Sequence, residues 1–286
     1  MAAAMTLKDM IASAEGVTTN FLAQTYPAIA SAVTPTISAL AILYWALYGY
    51  KVYAGHAGLQ WKEFLGKAAM TSFIFAALNW GGLASQIYGW YIGMMDGASA
   101  TIMAGQPTDS MLDALYNNVG KVASMLQKAD FYQIGIIIEG SGLFFLNCLL
   151  FVVAFVYMTI AKIGLSICMV LMPIFLGFFM FEQSRQWAIN WISKMLNFTF
   201  IYILVIAIIR FGFVAFAHAI EEVKQAANVA DAALITSQQI GMISIIEAVL
   251  IIFMLQVKGW AAQLSGGVTV QGMSALLMLL RPFIRR

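Results

Sequence analysis

From Ile163 to Phe181 the chain runs for 19 residues without a charge. At about 1.5 Å per residue such a stretch reaches roughly 28 Å, enough to cross the hydrocarbon of a bilayer. It predicts a transmembrane helix. Pro173 falls inside it and removes one amide, so the helix should kink or loosen there. A bilayer tolerates the freed carbonyl only where protein or water satisfies it. The residues Glu182-Gln183-Ser184-Arg185-Gln186-Trp187 then bring polar groups together, and Trp187 and Trp191 follow at helical spacing. Amphipathic rings prefer the headgroup level, which places a membrane interface at this connector.

The whole chain has the same character. Of 286 residues, 62% are hydrophobic and 10% charged, too few polar groups to cover a soluble surface. The fold class expected is all-α: a polytopic transmembrane helical bundle with an amphipathic N-terminal helix and periplasmic helices. Residues 1–27 form the amphipathic helix, with Leu7, Met10, Ile11, Ala14, Val17, Phe21 and Leu22 on one stripe. No cationic region precedes an apolar core there, so a cleavable signal is not expected. Residues 28–79 carry two spans joined by a basic connector, the second short and continued by a glycine-broken segment from Gly81 to Met95. Residues 80–133 are a more polar central loop holding a small amphipathic unit. Residues 134–257 are the C-terminal transmembrane region, and 258–286 a basic tail.

Four ionisable residues lie within or beside apolar runs: Glu139, Lys162, Arg210 and Glu247. Such groups usually face protein or a water-filled path. Glu139 and Lys162 sit near segment ends and are expected to snorkel to the headgroups. Arg210 and Glu247 are deeper, in consecutive spans that should run antiparallel, and are expected to pair or to face a pore. Trp187, Trp191 and Trp260 read as interfacial anchors, with packing in an oligomer as the sharper alternative. Arg281, Arg285 and Arg286 read as topology anchors, with contact to anionic lipid or to substrate as the alternative. Cys148 and Cys168 fall in apolar spans and behave as small hydrophobes. His56 and His218 have no ligand partner at helical spacing, and no phosphate loop, nucleophile elbow or zinc-protease motif occurs. No enzyme activity, cofactor or metal is expected.

The order Pro173, Phe175, Phe181, Ser184, Arg185 and Trp191 resembles the polytopic inner-membrane subunit of type IV secretion systems, the TrbL/VirB-six-type family. That family shows a Pro-x-Phe run, a Phe-x-x-Thr-Arg-like turn and a Trp six residues past the Arg; Ser184 stands for the threonine. A weaker likeness is the small-residue stretch from Gly259 to Gly267. The resemblance implies a structural and channel-forming part of a conjugation or secretion machine in the bacterial inner membrane. It implies a homo-oligomer at the base of the periplasmic stalk, a role in pilus biogenesis and DNA transfer or protein secretion, and contact with stalk or minor pilin, pilin, periplasmic scaffold and secretion ATPases. Membrane lipids and the DNA or protein in transit are further partners. The alternative reading is a stand-alone small-solute or ion transporter, which should show repeated halves that this sequence lacks.

Cationic loops stay on the cytoplasmic side. The connector 51–67 holds three Lys, the tail 258–286 four Lys and Arg, and 218–241 one. The N-terminus and the loop 80–133 are therefore expected outside and the tail inside. Six full crossings would put the tail outside. Agreement returns if 134–181 crosses once in net terms, being partly re-entrant or rising above the bilayer as one long helix; the other reading is a hairpin turning at Lys162.

Overall fold

The computed structural model describes residues 7–55, 61–104, 134–228 and 237–284, with Tyr116, Asn117 and Gly120 between them. Among the described residues the chain is helical without strands. Helix α1 spans Leu7–Tyr53, α2 Trp61–Ala77, a π-helical turn Trp80–Ala84, α3 Ser85–Ile102, α4 Ile134–Val170, α5 Met172–Phe178, α6 Arg185–Asn228 and α7 Ser237–Ile284. Four of these contain stretches long and apolar enough to cross a membrane: Gly16–Tyr53, Ile137–Val170, Arg185–Ala215 and Ile240–Gly266.

Two boundaries differ from expectation, and one of two alternative readings is excluded. Helix α1 is unbroken over 47 residues through Pro27 and Pro35, so no break separates residues 1–27 from the first span. The first part of the expected central loop, 85–102, is helix α3; of the amphipathic stretch from Met111 to Leu126 only Tyr116, Asn117 and Gly120 are described, and its apolar stripe lies outside the described residues. Helix α4 runs straight through Lys162 and Gly164 for 37 residues, so the hairpin turning at Lys162 does not form. Gly164 has a packing role instead: a Cβ there would run into the Phe198 ring of α6. A glycine in an apolar helix marks a close helix contact as readily as a turn.

The break that does form has two causes. Pro173 has no amide to give to Met169, and α4 accordingly ends at Val170. The chain restarts as the short helix α5 with Ile174 and Phe175 amides both on the Leu171 carbonyl. Between α2 and α3 the break centres on Asn79 and Gly82. Gly82 leaves helical geometry at φ −105, ψ −125, and the Asn79 Oδ1 accepts from the Gly81 amide at 3.1 Å.

The chain divides into two compact units. One comprises Met1–Glu15, Met95–Ala161 and Ile201–Trp260. Its core interleaves Leu150, Phe151 and Ala154 of α4 with Ile208 and Ile209 of α6 and Leu250 and Met254 of α7. Gly212 lets α6 approach the Leu250 side chain. The other comprises Gly16–Met94, Lys162–Phe200 and Ala261–Arg286. There Tyr26 of α1 is fully buried, donates to the Ala77 carbonyl at the end of α2, and meets the Trp80 ring at 5.1 Å.

Candidate functional site

In the second unit the end of α4, helix α5 and the start of α6 fold into an aromatic tip. The Ser184 hydroxyl donates to the Phe178 carbonyl at 2.9 Å and reaches the Phe181 carbonyl at 3.4 Å. It thereby satisfies the Phe178 carbonyl at the end of α5, where the last carbonyls have no intrahelical partner, and joins the Arg185 amide on the Phe181 carbonyl. Phe175 stacks on Trp191 with ring centroids 5.8 Å apart, and Phe178 meets Trp187 edge-on at 5.2 Å. Phe181 meets Tyr44 of α1 edge-on at 5.9 Å. The Trp191 Nε1 donates to the Cys168 carbonyl in the last turn of α4 at 2.8 Å. Residues spread along a linear motif, from Pro173 to Trp191, therefore gather in one cluster.

Trp191 departs from the expected anchor or oligomer contact, because it is spent inside the chain and only 7% exposed. Its stack and its hydrogen bond hold α6 to the broken end of α4. Trp191→Phe is expected to keep the stack and lose the hydrogen bond, at about 1 kcal/mol. Trp191→Ala is expected to cost about 3–5 kcal/mol. Thermal unfolding in detergent checks the order; equal losses would mean that the hydrogen bond, and not the ring, carries the contact. Trp187, in contrast, is 60% exposed, as an interfacial ring should be. Trp260 is half-buried and tilts against Phe253 at 5.9 Å.

A cavity of about 530 Å³ lies between α2, α3, α5 and α6. Met70, Phe73, Trp90, Met94 and Leu176 line it, and Arg185 is its one charged lining residue. The Arg185 Nε is buried with no hydrogen-bond partner. Nothing in the sequence pattern announced this cavity; its walls come from two pairs of helices, α2 with α3 and α5 with α6, that are distant along the chain.

The ionisable residues separate differently from expectation. Lys162 does not snorkel: it lies well inside α4, only 7% exposed. Glu139 sits near the start of α4, half-buried, with its Oε2 buried and without a hydrogen bond, beside a cavity shared with Ile240, Gly241 and Ser244 of α7. Arg210 and Glu247 are not a hydrogen-bonded pair. Both Glu247 oxygens lack any hydrogen-bond partner, although the residue is fully buried. The Arg210 guanidinium lies over the Phe213 ring at 5.8 Å. Antiparallel order of consecutive helices fixes direction but not rotation about each axis, and the sequence contains no signal for that rotation. Arg281 falls in α7, and its side chain lies outside the described residues, as do Arg285 and Arg286 altogether. Among the described residues no three His, Cys, Asp or Glu side chains cluster as a metal site would require.

A family model described as TrbL/VirB6 plasmid conjugal transfer protein matches residues 41–257. Two curated relatives carry the name Type IV secretion system protein VirB6, one from Bartonella quintana (strain Toulouse) and one from Bartonella henselae (strain Houston 1). Each is 22% identical over 196 residues, covering 65% of this chain. The matched stretch amounts to 60% of each relative's length.

Proposed function

The chain belongs to the TrbL/VirB6 family of plasmid conjugal transfer proteins, and from that membership we propose that it is an oligomeric inner-membrane component of a type IV secretion system. In this reading several copies form the base on which stalk and pilus subunits assemble, and line the route by which DNA or protein leaves the cytoplasm. The chain is not an enzyme; secretion ATPases supply the energy. The N-terminus and residues 105–133 are periplasmic and the tail is cytoplasmic.

One observation carries the oligomer. Ile138, Phe145, Val152, Val156, Ile160, Ile163 and Ile167 are all exposed. At about 100° per residue they fall within one narrow stripe of α4. From Ile138 to Ile167 the stripe runs about 44 Å at about 1.5 Å per residue. The hydrocarbon core is only about 30 Å deep, and an average tilt of about 20° still leaves roughly 41 Å. At that tilt about 11 Å of the stripe lies outside the hydrocarbon, and we infer that other copies or other secretion subunits cover it.

Cysteines at Ser110, Ser274 and Ile138 test both parts in cells carrying the secretion genes. Ser110→Cys is expected to react with an impermeant maleimide in spheroplasts, and Ser274→Cys only after lysis. Ile138→Cys is expected to cross-link into multimers of this chain or to another secretion subunit. Labelling of Ser274→Cys in intact spheroplasts would overturn the orientation, and an Ile138→Cys chain that stays monomeric under cross-linking would overturn the assembly.

A further inference from the structure

We propose that the cavity between α2, α3, α5 and α6 binds an anionic glycerophospholipid, with an acyl chain in the cavity and the phosphate on Arg185. The site lies within one compact unit and uses no other copy of the chain. Its volume, about 530 Å³, falls in the range of about 300–1,000 Å³ that suits small ligands, and such sites are apolar with a few polar groups fixing orientation. The rim residues Phe73, Trp90 and Met94 are exposed, so the cavity opens on the surface of helices that meet the bilayer.

Charge selects the occupant. A wholly apolar chain would leave the Arg185 Nε as it stands, buried and without a hydrogen bond, and a buried donor left unmet is costly. A phosphate oxygen accepts from a guanidinium with a charge-assisted bond, and Arg offers a fork that suits it. Arg185 also stands at the depth such a headgroup needs. Glu182 and Gln183 beside it are exposed, as is Trp187, which marks the polar edge of the membrane-embedded surface. Basic pockets between membrane helices on the cytoplasmic side hold anionic headgroups in the same way. The inference depends on the chain residing in a bilayer and not on its place in a secretion machine, so the assembly reading can fail while this one holds.

The experiment uses the full-length chain in phosphatidylcholine nanodiscs doped with phosphatidylglycerol brominated on its acyl chains. Bromine quenches tryptophan on contact, and Trp90 and Trp191 both line the cavity. Quenching is expected to saturate at a low fraction of phosphatidylglycerol, whereas brominated phosphatidylcholine at the same fraction should quench only in proportion to its amount. Arg185→Gln is expected to shift half-saturation about tenfold, the loss of one charge-assisted hydrogen bond, and Arg185→Lys to shift it less. Ile189→Phe, which places a ring in the cavity, is expected to abolish the saturable phase, and serves as the test should Arg185→Gln elute abnormally in gel filtration. Equal quenching by the two lipids would overturn the proposal. So would a normally eluting Arg185→Gln chain without a shift, an Ile189→Phe chain that keeps saturation, or a Met94→Cys chain whose disulfide to a second copy shows that protein covers the cavity.

Discussion

Glu247→Met is expected to reach the membrane at or above the normal level while substrate transfer falls by an order of magnitude or more. The carboxyl is fully buried and neither oxygen has a hydrogen-bond partner, a state that costs about 1–3 kcal/mol relative to a satisfied group. Methionine matches its length and removes the unmet polar atoms, and replacing buried polar groups by apolar ones of similar shape is often neutral or stabilising. A chain that keeps an ionisable group inside an apolar helix at such a cost usually uses it, so the loss should appear in transfer and not in folding. Immunoblots of membranes and a mating or export assay separate the two. If Glu247→Met fails to accumulate and Arg210→Met in the same chain restores it, the two residues pair in the working protein and Glu247 serves the fold.

Gly164→Leu is expected to remove most of the chain from the membrane. Even a Cβ at this position would run into Cε1 of Phe198 and lie 2.6 Å from its Cζ, so α4 and α6 must separate or the ring must leave its place. Overpacking of this kind costs about 1–3 kcal/mol and sometimes more, a large share of a marginal stability. The clash is with a side chain, which makes it testable by relief: Phe198→Ala should restore part of the Gly164→Leu loss. Gly259 has open space where its Cβ would be, and Gly259→Ala should be neutral or gain up to about 1 kcal/mol from helix propensity. Normal accumulation of Gly164→Leu with Phe198 intact would show that the contact is loose.

Hydropathy made the all-α polytopic class and the four long apolar helices legible, because membrane length and backbone satisfaction leave few alternatives. Pro173 announced the break after Val170 through its missing amide. Other features were hidden for physical reasons. Lys162-Ile163-Gly164 reads equally as a turn or as a close packing site, and only the position of Phe198 decides. The division expected after residue 27 is one that α1 ignores, its helix running unbroken through Pro27 and Pro35. The pairing expected of Arg210 and Glu247 required a rotation about two helix axes, which no pattern of apolar residues specifies for groups at single positions. The six motif residues were legible as a resemblance, yet the cavity behind Arg185 depends on α2 and α3, whose residues lie about a hundred positions earlier.

The continuity of α4 also sets a parity. A helix that does not turn at Lys162 changes the side of the membrane once, whereas a hairpin would change it twice and return. In the orientation proposed above, that single change lets the connector lysines Lys51, Lys62 and Lys67 share the cytoplasmic face with Arg185, whereas a hairpin at Lys162 would send Arg185 to the opposite face, against the rule that cationic segments stay inside.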